Sequence, residues 1–280
     1  MAKKTSLKRG LRKLWASQKA LAIPVTYLLL FFSLILLISL TYSLAVAKIS
    51  ARGNTLKASI AKQNMLGVDD AVRSVAWSFG ASKIVYVEDA GGSLQTSPTA
   101  RNLIINLTDE HSFYDIVFNS SIGKTVYELE PSGYSFSNEF IVGDDRVIAN
   151  ESKFTMTQLY LATGLDGQEL TLSYRPSATV AVIGTGDGKP LNLIRMYIIT
   201  LNSSSVLALH ESFYLRVTAT NVTTIARHYD FNQTIFSLLV KVVLEGVSGG
   251  AKLPISSGTQ GAYVDLEIVI CNIKLQKTEA

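Results

Sequence analysis

Cysteine is nearly absent: Cys271 is the sole one in 280 residues, so no intrachain disulfide can form. That excludes the disulfide scaffolds on which small secreted domains rely, and stability must come from packing or from attached sugar. Cys271 lies in the apolar run Ile268-Val269-Ile270-Cys271, where a buried thiol serves as a small hydrophobe rather than a nucleophile. Histidine is scarce too: His111, His210 and His228 are scattered with no metal-ligand spacing. Charged residues make up 17% of the chain against 48% apolar, a more apolar balance than that of an ordinary soluble domain. No serine stands in a Gly-x-Ser-x-Gly setting. Gly184-Thr185-Gly186-Asp187-Gly188-Lys189 lacks the spacing and following helix of a phosphate loop, and Pro190 comes directly after it. The acidic pairs Asp69-Asp70 and Asp144-Asp145 could bind a cation, and an exposed helix face and a loop tip are their plainer readings. These absences leave an enzyme reading without residues, and no cofactor or metal is expected.

Acidic residues are missing from the first 19 positions, which hold Lys3, Lys4, Lys8, Arg9, Arg12, Lys13 and Lys19. Taking those seven from the 26 basic residues leaves 19 against 22 acidic, so the net +4 resides in this tip. A basic tip beside an apolar run points to a membrane surface rather than to nucleic acid. Positions 20–47 carry no charge at all. A bilayer core needs roughly 20 helical residues, and the run exceeds the roughly 7–15-residue apolar region of a secretory signal. The positive-inside rule keeps the tip in the cytoplasm and places everything after Lys48 outside.

Proline is also missing between Lys48 and Phe79, where Ala61, Met65, Val68, Val72, Val75 and Phe79 recur at steps of three and four. This is the stripe of an amphipathic helix. Ile49, Leu56 and Ile60 form a second stripe about 100° away at 3.6 residues per turn. The two stripes imply two neighbours, one of them another copy, or one domain wrapped over both; Gly80 is the expected cap. Beyond it the helical period vanishes. Runs rich in Val, Ile, Tyr, Phe and Thr read as strands at 84–88, 102–107, 113–119, 125–129, 139–142, 158–162, 169–174, 179–183, 193–201, 213–219, 236–244 and 263–275. Ala90-Gly91-Gly92 and 184–188 read as hairpin turns, and 184–190 also as a possible seam between two subdomains. Six Asn-x-Ser/Thr sequons at Asn106, Asn119, Asn150, Asn202, Asn221 and Asn232 all fall in this region, more than chance supplies, which suits an exported, N-glycosylated domain. The expected fold class is α+β, a long N-terminal membrane-spanning helix followed by a mainly antiparallel β-sandwich ectodomain.

At the head of the apolar run stands Lys19-Ala20-Leu21-Ala22-Ile23-Pro24-Val25. This order resembles the class III signal peptide of archaeal type IV pilin-like proteins. The resemblance implies leader cleavage between Ala20 and Leu21, after the basic Lys19, with the apolar helix kept on the mature chain. Pro24 would then stand in the first turn, where a missing N–H is no loss. The fifth residue after that cut is Val25, not the glutamate common in bacterial pilins, so no charge there would set an assembly register. The implied layout is a cytoplasmic leader over 1–20, a transmembrane and amphipathic helix over 21–80, and an extracellular head over 81–280. The implied partners are the membrane, sister pilin-like subunits and the export and leader-processing machinery. A single-pass anchored ectodomain that binds a ligand or protein partner is the alternative.

Overall fold

The structure is a computed structural model, and it describes residues 4–130, 138–151, 155–164 and 167–279, with side chains from 24 onward. Among the described residues one helix, α1 (Lys4–Val75), precedes fifteen strands. The first seven strands are β1 (Ser82–Val87), β2 (Gly92–Ser97), β3 (Asn102–Thr108), β4 (Tyr114–Ser121), β5 (Lys124–Leu129), β6 (Glu139–Val142) and β7 (Thr157–Gly164). Then come β8 (Gly167–Tyr174), β9 (Ser177–Gly186), β10 (Lys189–Thr200) and β11 (Leu207–His210). The last four are β12 (Phe213–Phe231), β13 (Ser237–Leu244), β14 (Val247–Pro254) and β15 (Ala262–Thr278). The chain divides into two compact units at Thr55/Leu56.

In the first unit every described side chain from 24 to 50 is exposed, the apolar ones included. The helix is long and apolar enough to cross a membrane. Two of its hydroxyls are tied to its own backbone: Ser33 Oγ donates to Leu30 O and Thr41 Oγ1 to Leu37 O, both at 2.8 Å. Pro24 lies well inside α1. An interior proline removes one backbone hydrogen bond and clashes with the preceding turn.

The second unit contains three sheets, with strand orders β1-β12-β15-β10-β9, β11-β2-β5-β8-β7-β6 and β14-β13-β3-β4. Every pairing is antiparallel except β10 with β15, which run parallel. The five-stranded sheet is central because its strands serve two cores. Along β15 the even residues Ala262 to Ile270 belong to one core and the odd residues Cys271, Ile273 and Leu275 to the other. Alternate residues of a strand point to opposite faces, so the two cores lie on opposite faces of this sheet. β10 switches in the same way between Ile198 and Ile199. β12 adds a bulge between Ala219 and Asn221, which re-aims the side chains beyond it. The first core joins the odd face to the six-stranded sheet and to α1 through Ala61, Met65, Val68 and Val72. The second core joins the even face to the four-stranded sheet.

Several expectations change. The helix ends at Val75 rather than at Gly80; Trp77 takes the left-handed conformation (φ 69°), and Gly80 (φ 77°) sits in the following turn, its N–H bonded to Ala219 O at 2.9 Å. Phe79 therefore falls outside the buried stripe and is exposed. Ala90-Gly91-Gly92 is no hairpin, because β1 and β2 join different sheets. Residues 184–188 do form a hairpin, closed by Asp187 (φ 48°) and Gly188 (φ 80°) between Gly186 and Lys189, and so mark no seam. Both central residues with positive φ make this the turn whose twist suits flanking strands. Strands β2, β11 and β14, and the half of β12 beyond the bulge, went unread in the sequence.

Candidate functional site

α1 carries the candidate processing and assembly features. Lys19, Ala20 and Leu21 lie within the helix, and their side chains lie outside the described residues. The stripe Ala61, Met65, Val68, Val72 and Val75 is buried against the head, as its period implies. The other stripe divides. Ile60 packs partly against the first core, whereas Ile49 is 71% and Leu56 62% exposed.

Polar side chains fix the last turns of α1 to the sheets. Asn64 acts as a short strand: its Nδ2 donates to Glu88 O at 2.7 Å and its Oδ1 accepts the Glu88 N–H at 3.1 Å. Asp69, only 2% exposed, accepts the Thr157 hydroxyl (2.8 Å) and the Tyr174 hydroxyl (3.0 Å) on Oδ1, while Oδ2 lies 3.2 Å from Arg73 Nε. Burial pushes the Asp69 carboxyl above its ordinary value, against the opposing pull of Thr157, Arg73 and Tyr174. Tyr174, buried and facing that carboxylate, is held well above the usual phenol range. Asp70, its exposed neighbour, is lowered by the hydrogen bond from Lys83 at 2.7 Å. The expectation of an exposed acidic pair therefore fails for Asp69. The sequence signal was an acid set between buried Val68 and Val72 with an arginine four residues on.

Asp144 likewise holds a structural role: it pairs with the buried Arg175 guanidinium, which lowers its carboxyl. Arg175 also donates through Nε to Thr155 O (2.9 Å) and through Nη1 to Arg146 O (2.8 Å). Among the described residues no three His, Cys, Asp or Glu side chains gather as metal ligands. His111 and His228 share an open cleft of about 550 Å³ with Phe113 and Tyr229, and His228 Nδ1 lies 2.6 Å from Asp265 Oδ1. His210 lines a second, acidic cleft of about 420 Å³. Cys271 is buried, and burial raises its thiol, which suits its reading as a small hydrophobe.

The six sequons divide by setting. Asn119, Asn221 and Asn232 are exposed, and Asn150 and Asn202 half-buried. Asn202 Nδ2 donates to Ser121 O at 3.2 Å, and Asn232 Oδ1 accepts from Lys189 Nζ at 2.7 Å. Asn106 is 9% exposed, on β3. Together the residues define a β-rich unit whose core takes in the end of a long apolar helix. Comparison with family models, with curated proteins and with solved structures finds no match.

Proposed function

We propose that this chain is a structural subunit of a pilus-like filament on the cell surface, with a sandwich-like β head displayed outside the cell. The observation that carries the reading is the division of α1. Its last turns are head core, while the apolar stretch before them is bare on all sides. Residues 24–47 rise about 36 Å at 1.5 Å per residue, enough for a hydrocarbon core of ~30 Å. A helix apolar all round is covered by lipid or by other helices, and sister helices in a bundle supply the second of these. Ile49 and Leu56, exposed beyond the apolar run, want the same cover. Leader removal after Ala20 also resolves Pro24. Inside α1 it costs roughly 3 kcal/mol, but as the fourth residue of a new helix its missing N–H belongs to the turn that has no partners anyway.

The anchored ectodomain is the second reading. What favours it is that the head already covers the longer stripe, leaving only Ile49 and Leu56 of the other bare. Shearing intact cells and pelleting filaments separates the two. Recovery of the chain in the sheared filament fraction, starting at Leu21, supports the subunit; recovery only with membranes, as a monomer in mild detergent, leaves the anchor.

A further inference from the structure

The four-stranded sheet buries Leu103, Ile105, Leu107, Val240 and Val242 against the central sheet. The alternate residues form its outer face, in three rows across β14, β13, β3 and β4: Lys252–Leu239–Thr108–Tyr114, Gly250–Lys241–Asn106–Ile116 and Ser248–Val243–Ile104–Asn119. The solvent face of an antiparallel sheet is ordinarily polar. Here the part formed by β13, β3 and β4 carries the apolar Leu239, Tyr114, Ile116, Val243 and Ile104, with Ile116 46% exposed and Tyr114 and Leu239 also open.

Two of the six sequon asparagines stand on this face, Asn106 on β3 and Asn119 on β4. Asn119 lies opposite Ile104, two residues from Asn106, so the pair are diagonal neighbours at roughly 7–8 Å. Asn106 is nine-tenths buried among these side chains. Its Oδ1 is sealed from solvent with no hydrogen-bond partner, while its Nδ2 is not sealed. A sealed carbonyl without a donor is costly. Thr108, the third sequon residue, faces the same way, its hydroxyl 3.4 Å from Leu239 O. A saccharide offers what this face lacks, C–H surfaces for the apolar side chains and hydroxyl donors beside the amide.

We propose that the outer face of the four-stranded sheet is roofed by the chain's own N-linked glycans at Asn106 and Asn119. The proposal rests on the reading that the head is displayed outside the cell. It deepens that reading, because a sugar-covered face is closed to sister subunits, which must pack elsewhere.

The test uses full-length protein from the membranes or filaments of its host. Glycopeptide mapping should find sugar at both asparagines. Removing only those two sequons while keeping the asparagines, with Thr108→Ala and Ser121→Ala, should raise binding of the dye anilinonaphthalene sulfonate several-fold. Thr223→Ala with Thr234→Ala, which strips Asn221 and Asn232, should leave it unchanged. Wild-type chain from a glycosylation-deficient strain carries no substitution and should show the same rise, which guards against misfolding of the variant. Bare Asn106 or Asn119 with sugar on other sequons overturns the roof and leaves the displayed head standing. Sugar on neither these nor any other sequon overturns both the roof and the glycoprotein reading. Sugar at both sites with unchanged dye binding overturns the covering role alone.

Discussion

Asp69 is the group on which the attachment of α1 to the six-stranded sheet can be tested most sharply. Asp69→Ala leaves the Thr157 and Tyr174 hydroxyls without their acceptor in a buried site. Each unsatisfied group costs about 1–3 kcal/mol. The Arg73 pair adds little, since the Arg73 side chain is mostly exposed and water screens it. A total loss of about 3 kcal/mol is expected, which for a unit of this size lowers Tm by roughly 6–12 °C. Asp69→Asn keeps an oxygen able to accept both hydroxyls and should cost about 1 kcal/mol or less. The two variants also separate geometry from charge. Because burial raises the folded-state value above the ordinary 3.8, the ionised form is the one folding disfavours. The stability linked to this proton is fully present below the unfolded value and is lost as pH rises through the raised folded value. Wild type should therefore gain on Asp69→Asn as pH is lowered from neutral through that window. The assay is urea unfolding of the full chain in detergent, followed by Trp77 emission, because Trp77 stacks edge-on against Tyr197 at 5.1 Å in the head. A difference curve that is flat, or that falls on acidification, would refute a burial-dominated Asp69, and equal losses for both variants would refute the hydrogen-bond account.

The two stripes of α1 predict opposite outcomes in one melt. Met65→Ala, at a fully buried site, should cost about 2–5 kcal/mol, whereas Leu56→Ala should stay within about 0.5 kcal/mol while reducing recovery of filaments after shearing. Gly188→Ala places a side chain at φ 80° with its Cβ 3.2 Å from Gln260 Oε1. It should destabilise the unit by about 1–2 kcal/mol, measured by the same unfolding curve. Ala20→Asp should block leader removal, so mass spectrometry should find the mature chain starting at Leu21 in wild type and an unprocessed chain in the variant.

The sequence disclosed what depends on period. The stripe from Ala61 to Val75 is buried because helical spacing and burial are the same fact seen twice. Most strands were legible for the equivalent reason, since β-branched and aromatic runs between turn residues suit a pleated surface. Three strands escaped because their composition hides the period. Val247–Pro254 carries Ser248-Gly249-Gly250 and Gly92–Ser97 opens on Gly-Ser, residues that ordinarily mark turns. His210 and Leu207 bound a segment of only four residues. Gly80 was the natural cap on composition, yet the left-handed position went to Trp77, where the contact with Tyr197 accompanies the strained backbone. Of the site, single residues such as the sequons could be named from sequence. Their grouping could not, because Asn106 and Asn119 become neighbours only through the β3–β4 register.

The double use of the central sheet explains why this register is firm. A strand buried on one face tolerates no one-residue slip, because a slip moves every apolar side chain to the wrong side. In β15 the adjacent pair Ile270 and Cys271 serve opposite cores. A slip there would expose both sets at once, the one facing the four-stranded sheet and the one facing α1. The partners of β15 switch at matching heights, β10 at Ile198/Ile199 and β12 at its bulge beyond Ala219. The bulge is needed because β12 runs through 19 residues and passes from one core to the other. These strands therefore form the rigid path from the core that holds the helix to the core that carries the outer sheet. Asn64, Asp69 and the buried stripe of α1 are thus linked to the second core within continuous β12 and β15, not through a loop. This continuity follows from one change of phase in three neighbouring strands.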